Sequence, residues 1–202
     1  MGIFSAKKGQ NLTVRCVPSL RRNLFSNYLA FERKIMMKEI APRELNANTF
    51  KTIGSDWLLI TAEKDGKVNT MTASWGGLGI LWGKSVAFIF IRPQRFTKEF
   101  VDANARLSLS VLPNNYRDQL NYFGKVSGRD EDKIAKSGLE ITEEAGVPYF
   151  AAADTAFICK KLYADDLKPG AFIEKDLIEK NYPQNDFHTM YVVEIEKVLV
   201  KD

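Results

Sequence analysis

The chain has 202 residues, of which 45% are hydrophobic and 27% are charged, and these values are typical of one soluble globular domain with its own core. The formal net charge is +4, and lysine and arginine are spread along the chain, so the sequence does not indicate a nucleic-acid-binding surface. No apolar run is long enough to span a bilayer, so we expect no membrane-spanning segment.

The first 37 residues are basic and contain a single carboxylate, that of Glu32. They lack an apolar h-region, so they are not a secretory signal. Their composition resembles that of an organellar transit peptide, but Met36-Met37-Lys-Glu-Ile-Ala also looks like a genuine beginning, and we prefer to treat the preceding residues as an upstream extension. We predict that residues 1–37 are poorly packed or lie over the surface, and that residues 38–202 form the functional domain.

The early part of this domain predicts a β-hairpin. Residues 57–63 and 68–72 have strand patterns, and Asp65-Gly66 between them supplies the positive φ that a type I′ turn requires. Residues 85–91 are apolar at nearly every position, which predicts a strand buried on both faces, and Pro93 ends it by removing a backbone donor.

The later part alternates short helices with strands. We predict a helix from Thr97, which acts as its cap, to Asn104, with Glu99 in the first turn facing solvent and with Phe96 and Val101 at staple positions. Further helices are predicted over residues 116–123, closed by Gly124, and over residues 130–136, and further strands over residues 106–112, 155–163 and 188–200. Strands separated by turns and short helices predict a mainly β, antiparallel barrel, a fold that leaves few exposed edges.

The glycines between Gly77 and Gly83 approach two phosphate-binding motifs without matching either. The segment from Gly79 to Ser85 has one residue too few between its glycines for a P-loop, and Ser85 begins a strand rather than a helix. The spacing of Gly77, Gly79 and Gly83 misses the dinucleotide fingerprint by one residue. We therefore predict a flexible loop that carries aromatic side chains.

Cysteine and histidine usage gives no support for a metal site. Cys16 and Cys159 form no C-x-x-C pair, and His188 is the single histidine, so the usual zinc ligand set is missing and we predict no bound metal. Two reduced thiols are what we expect of a cytoplasmic protein.

Hydrogen-bonding side chains are concentrated between residues 69 and 97. Asn69, Thr70, Thr72 and Ser74 are followed at once by Trp75, and the basic turn Arg92-Pro-Gln-Arg-Phe-Thr97 precedes a predicted helix. The N–H groups and positive dipole end of a helix N-terminus suit a phosphate, and arginine adds charge-assisted hydrogen bonds. This combination points to a flat, polar-edged ring that carries a phosphate, namely flavin mononucleotide (FMN).

Four segments in this order, NTMTASWGGLG, RPQRFTKEF, FGKVSGRDEDK and DFHTMYVVEI, resemble the flavin reductase-like family of FMN-binding split β-barrels. The resemblance covers roughly residues 40–200 and implies a split barrel, a homodimer, FMN as cofactor and NAD(P)H as electron donor. The cofactor-binding residues that it implies are Asn69, Thr70, Met71, Thr72, Ala73, Ser74, Trp75, Arg92, Arg95, Thr97, Lys98, Ser127 and Lys133. It also places His188 near the flavin, as a catalytic residue that positions the nicotinamide or donates a proton.

Ordinary structural roles stay open for several of these residues. Met71 and Ala73 suit core packing, Lys98 and Lys133 suit a solvated surface, and His188 suits the exposed end of a strand. Family members often have glycine at the position of Val193, so we expect the valine side chain to crowd whatever approaches that strand.

The expected function is that of an FMN-binding oxidoreductase of the flavin reductase type. It would take hydride from NAD(P)H and pass electrons to flavin, a ferric chelate or another acceptor, and strand 85–91 with Trp75 and Trp82 would form the homodimer interface. The alternatives are a non-catalytic FMN carrier or flavoredoxin-like electron-transfer protein, and a structural barrel without flavin. A serine hydrolase is disfavoured because His188 and Asp186 have no accompanying G-x-S-x-G elbow.

Overall fold

The computed structural model describes residues 37–202, which form a mainly antiparallel β-structure with short helices, as predicted. The expected N-terminal extension lies outside the described residues, apart from Met37, which is the first residue of a strand. None of the helices in the described range is long and apolar enough to cross a membrane.

The strands and helices follow one another along the chain with short connections. The strands are β1 (Met37–Ile40), β2 (Leu58–Lys64), β3 (Lys67–Ala73), β4 (Gly76–Leu81), β5 (Lys84–Ile91), β6 (Arg106–Val111), β7 (Ile141–Glu144), β8 (Val147–Phe150), β9 (Thr155–Asp166) and β10 (Thr189–Lys201). The α-helices of the described range are α1 (Thr49–Lys51), α2 (Phe96–Ala103), α3 (Arg117–Lys125), α4 (Lys133–Ser137) and α5 (Asp176–Asn181).

One antiparallel sheet carries most of the strands, in the order β3-β2-β6-β9-β10-β5-β4, and β1 adds to the far end of β10. Strands β7 and β8 form a separate hairpin. The two edge strands of the large sheet, β3 and β4, are consecutive in the chain and are joined by Ser74 and Trp75. The sheet is therefore split between two strands that the chain itself connects.

Two hydrophobic clusters form the core on opposite faces of the sheet. Leu59 and Ile60 are neighbours in β2 and are both fully buried, yet they belong to different clusters because successive strand side chains point to opposite faces. The cluster of Ile60 includes Met71, Ile89 and Val193, whereas that of Leu59 includes residues of α3 and β8.

The two hairpins at the split use the same kind of turn. Asp65 and Gly66 have φ values of 52° and 74°, which confirms the turn predicted between β2 and β3. The prediction of a flexible loop after Trp75 is wrong, because residues 76–81 pair with β5 through a turn at Trp82 and Gly83, whose φ values are 52° and 73°. Glycine is needed at position 76, since a Cβ there would lie 2.5 Å from the carbonyl oxygen of Phe88.

Several helix ends differ from those predicted. Helix α2 begins at Phe96, so Thr97 is not its cap and the predicted staple does not form. Helix α3 continues through Gly124 to Lys125. Helix α4 begins only at Lys133, where Asp132 caps it by accepting a hydrogen bond from the Ala135 N–H at 3.0 Å. The start of α4 is therefore decided by a capping residue that comes later than expected.

Candidate functional site

A cleft of about 230 Å³ opens where β3 and β4 separate. One wall of the cleft consists of the end of β3 and its connection to β4. The other wall consists of the end of β5, the turn after it and the residue before β10. The lining residues are Met71, Thr72, Ala73, Ser74, Trp75, Phe90, Arg92, Arg95 and His188. All of them except Phe90 were predicted as site residues, so the fold brings distant parts of the sequence to one place.

Strand β3 divides its side chains between the cleft, the core and a helix. Met71 and Ala73 belong to the core cluster and also border the cleft, so they pack in the core, and their contact with a cofactor stays a prediction. The Thr72 hydroxyl donates to the carbonyl oxygen of Leu120 in α3 at 2.5 Å. Thr70 is fully buried and its hydroxyl bonds to Thr61 and to the Ile60 carbonyl, so this side chain serves the core.

Asn69 and Thr97 form a buried hydrogen bond that ties β3 to the first turn of α2. The Asn69 side-chain amide donates to the Thr97 hydroxyl at 3.0 Å, and the two residues are 4% and 1% exposed. Gly128 packs directly against this pair, because a Cβ at Gly128 would overlap Asn69 and lie 3.1 Å from the ring of Phe96. Asn69, Gly128 and Lys133 also line a second cavity, of about 590 Å³.

Arg95 and Lys133 are cations held by backbone carbonyls. Arg95 Nη1 donates to the carbonyl oxygen of Gly124 at 2.6 Å, and Lys133 Nζ donates to those of Val126 at 2.9 Å and Phe123 at 3.2 Å. Across residues 37–202 neither cation has a carboxylate partner.

Burial, followed by repulsion from a neighbouring arginine, lowers the pKa values of both cations. Lys133 is 3% exposed, and its burial, followed by the charge of Arg95, lowers the pKa of its ammonium group to about 8. Burial and the charge of Arg92 lower the pKa of Arg95 as well. The region therefore has an excess of positive charge that an anion would neutralise.

Arg92, in contrast, is occupied by the protein itself. It forms an ion pair with Asp186 and donates from Nη2 to the carbonyl oxygen of Asn181 at 2.8 Å. Gln94 adds a second hydrogen bond to the same Asp186 oxygen at 2.8 Å. Arg92 thus ties the connection between β9 and β10 to the cleft, and its guanidinium already has partners within the protein.

His188 sits in an aromatic enclosure at the start of β10. Its ring lies 5.1 Å from that of Trp75, 6.4 Å from that of Phe90 and 5.6 Å from that of Tyr182, between centroids. The residue is 8% exposed. Burial, followed by the positive charge of Arg92, lowers the pKa of His188 to about 4, so the imidazole is neutral at pH 7.

Other predicted site residues lie elsewhere. Lys98 pairs with Asp102 at 2.8 Å and borders a different recess, Ser127 accepts a hydrogen bond from the backbone N–H of Arg129 at 3.2 Å, and Glu99 faces solvent, as predicted, where it pairs with Arg129. Their surroundings indicate structural roles in turns and on the surface.

The crowding expected from Val193 does not occur. Its side chain is fully buried in the barrel core, where it lies opposite Ala87 of β5. The expectation was wrong because this position faces the interior of the sheet and not the cleft.

Sequence reasoning missed Phe90, Tyr182 and the α3 carbonyls that hold the two cations. Phe90 is one of a run of apolar residues in β5 and carries no signal of its own. Tyr182 lies six residues before His188, in a connection without a recognisable pattern. Backbone carbonyls have no signature in a sequence, so only the fold reveals their convergence.

Comparison with known proteins identifies the family and the known structures that share this fold. Residues 50–202 match the family model for the flavin reductase like domain, while a search of curated proteins found no match. Similar solved structures include an FMN-binding domain of a flavin reductases-like enzyme from Shewanella baltica OS155, with 16% identity over 82% of this chain and 78% of that chain and a TM-score of 0.61. An FMN-binding protein from Thermus thermophilus has 21% identity over 83% of each chain and a TM-score of 0.58, and flavoredoxin of Desulfovibrio vulgaris (Miyazaki F) has 22% identity over 83% and 78% and a TM-score of 0.57. At these identities the likeness shows a shared fold.

Proposed function

Since this chain belongs to the flavin reductase like domain family, we propose that it binds FMN in the cleft and acts as an NAD(P)H-dependent oxidoreductase. It would take hydride from the nicotinamide and pass electrons to flavin, a ferric chelate or another acceptor. The observation that carries the proposal is the pair of cations, Arg95 and Lys133, which lack carboxylate partners among the described residues.

The donors beside this pair suit a phosphate. Arg95 uses one guanidinium nitrogen for the Gly124 carbonyl and has other N–H groups to offer. Helix α2 begins at Phe96, so its first-turn N–H groups and positive dipole end lie immediately after Arg95. Charge-assisted hydrogen bonds from a guanidinium are among the strongest that a phosphate receives in proteins.

The rest of the cleft suits the flat ring of a flavin. Trp75, which is 45% exposed, Phe90 and Met71 offer apolar surfaces, while Ser74 offers a hydroxyl at the rim. The cleft volume of about 230 Å³ is below the roughly 300–1,000 Å³ of small-molecule sites. A recess of about 640 Å³ shares Ser74 and Trp75 with the cleft, so we expect the Trp75 indole to move aside when the ring enters.

Bound FMN would supply the redox chemistry, as acceptor of a hydride and donor of electrons. The protein's own residues would bind and orient. Arg95, which lines the cleft, and Lys133, which lines the second cavity, would together neutralise the phosphate. Trp75 and Phe90 would exclude water, and the neutral imidazole of His188 would present a hydrogen-bonding nitrogen to the cleft. Hydride transfer requires none of these residues to donate or accept a proton, so we expect graded rather than absolute losses of activity on substitution.

We also propose a homodimer, in which the outer surface of β4 takes part. Strand β5, which was expected to supply the interface, is paired on both sides by β4 and β10 and is mostly buried. The hairpin of β4 and β5 exposes two apolar side chains instead, Ile80 of β4 and Trp82 of the turn, at 57% and 61% exposure. Sedimentation should give a dimer mass for the wild type and a monomer mass for Ile80→Lys.

Anaerobic rapid mixing of FMN-loaded protein with NADH and, separately, NADPH tests the proposed activity. Loss of flavin absorbance much faster than for free FMN at the same concentration supports it. Tight FMN binding without this bleaching favours the alternative, a flavoredoxin-like electron-transfer protein. A chain that takes up no FMN excludes both functions.

A further inference from the structure

Tyr182 and His188 share a hydrogen bond whose direction has consequences for the cleft. The Tyr182 hydroxyl lies 2.9 Å from Nδ1 of His188, and Tyr182 is 5% exposed. The other ring nitrogen, Nε2, has no hydrogen-bond partner in the part of the chain that the structure describes, and His188 lines the cleft.

The buried phenol sets the direction of this bond. If Nδ1 carried the proton, the Tyr182 oxygen would accept it, and the phenol's own O–H would be left without an acceptor among residues 37–202. A buried donor without a partner is costly, at about 1–3 kcal/mol. The favourable arrangement is therefore a phenol that donates to an unprotonated Nδ1, which leaves the imidazole proton on Nε2.

We infer that Tyr182 is a positioning residue that fixes the His188 tautomer and so holds a neutral Nε2–H at the cleft. The inference deepens the proposed function and rests on it, because this N–H has a role only if the cleft receives a ligand with an acceptor atom. Carbonyl oxygens, which flavins and nicotinamides both carry, and the unprotonated ring nitrogens of flavins are acceptors of the required class.

Burial, followed by the net effect of the surrounding charges, keeps the imidazole in this neutral form. Arg92, at the end of β5, and Arg95, in the turn before α2, both oppose protonation, while Asp186, in the segment before β10, favours it. Asp186 is itself paired with Arg92. The aromatic residues Trp75 and Phe90, which pack on the ring from the other elements, carry no charge.

The Tyr182 ring is held by contacts that do not involve its hydroxyl. It stacks on Phe187 with 4.8 Å between centroids and an interplanar angle of 27°, packs on Phe172 at 5.9 Å, and lies under the Arg92 guanidinium at 5.1 Å. Tyr182→Phe therefore keeps the packing and removes only the hydrogen-bond donor.

Nitrogen-15 NMR of the full-length protein tests the inference, since His188 is the single histidine and its two ring nitrogens can be assigned without ambiguity. In the wild type at pH 7 we expect the proton on Nε2 and an unprotonated Nδ1. Tyr182→Phe should give a mixture of tautomers, whereas the control Tyr149→Phe, at another buried tyrosine, should give the wild-type spectrum.

A wild-type spectrum with the proton on Nδ1 would overturn the inference, and this result does not depend on any variant folding. An unchanged tautomer ratio in folded Tyr182→Phe would overturn it as well. The spectra are recorded before and after FMN addition, so the outcome is separable from that of the proposed function. If the protein shows the expected tautomer but binds no FMN, the positioning role of Tyr182 stands and the proposed function is refuted. If the protein reduces FMN but carries the opposite tautomer, the proposed function stands and the positioning role is refuted.

Discussion

Arg95 and Lys133 approach the same end of helix α3 from two different elements, and both donate to backbone carbonyls in or directly after its last turn. Arg95 comes from the turn before α2 and bonds to Gly124, whereas Lys133 is the first residue of α4 and bonds to Val126 and Phe123. The C-terminal end of a helix carries a partial negative charge, which stabilises two cations at short range. This partial charge does not neutralise the two cations, and we assign the remaining positive charge to phosphate binding.

Replacement of Arg95 by glutamine should weaken FMN binding by about 10-fold to 100-fold, the equivalent of one charge-assisted hydrogen bond. The glutamine amide can still donate to the Gly124 carbonyl, so the fold should be retained. Lys98→Gln is the matched control, because Lys98 pairs with Asp102 and its loss should leave the affinity unchanged. Fluorescence titration with FMN measures both, and equal affinities for the two variants would refute the assignment.

FMN affinity should depend on pH through Lys133. The pKa of this group is about 8 in the free protein, and a bound phosphate dianion favours its charged form. Binding should therefore weaken as the pH rises through 8, by at most about tenfold per pH unit. Titrations between pH 7 and pH 9 measure this, and Lys133→Met should bind more weakly at pH 7 with no such trend. A wild-type affinity that stays constant over this range would show that Lys133 does not contact the anion.

Gly128→Ala should destabilise the protein and disturb the second cavity. The added Cβ would overlap the Asn69 amide, so the buried hydrogen bond to Thr97 would be lost, at a cost of about 1–3 kcal/mol. Gly170→Ala is the control, because a Cβ there meets nothing within 4 Å. The free energies of unfolding measured in urea should differ between the two variants by about 1 kcal/mol or more. Unfolding curves that coincide would contradict the contact between Gly128 and Asn69.

His188 should make the protein sensitive to acid. Its pKa is about 4 in the folded state, below the ordinary value of about 6.5. As the pH falls from 6.5 to 4, the unfolded chain takes up a proton that the folded chain resists, so the free energy of unfolding falls by at most about 1.4 kcal/mol per pH unit.

Denaturant unfolding of the wild type and His188→Gln between pH 4 and pH 7 isolates this contribution. Carboxylates titrate in the same range in both proteins, and there is no second histidine. The stability of the wild type relative to the variant should decline on acidification. Two pH profiles that run parallel would mean that the imidazole titrates normally in the folded protein.

Local chemistry was enough to predict some of this fold. The Asp65-Gly66 turn and the flanking alternation identify the β2–β3 hairpin, because few residues other than glycine, asparagine and aspartate tolerate the positive φ of such turns. The order of the motifs along the chain was enough to group the residues of the cleft, which are Met71 to Trp75, Arg92, Arg95 and His188.

The remaining features depend on contacts that a sequence does not display. Strand β4 was missed because glycines disfavour strands and because Trp82, at a φ of 52°, is not a usual turn residue. Thr97 looked like a helix cap, yet its partner Asn69 lies 28 residues away. The Arg92–Asp186 pair spans 94 residues, so no local pattern shows that these two side chains bind each other.

Equilibrium binding of FMN and of riboflavin to the same protein tests the central claim most directly, because the two ligands share the ring and differ by the phosphate. If Arg95 and Lys133 form a phosphate site, FMN should bind at least about tenfold more tightly than riboflavin. Riboflavin binding as tight as that of FMN would contradict the phosphate site, and a protein that binds neither ligand would contradict the cofactor.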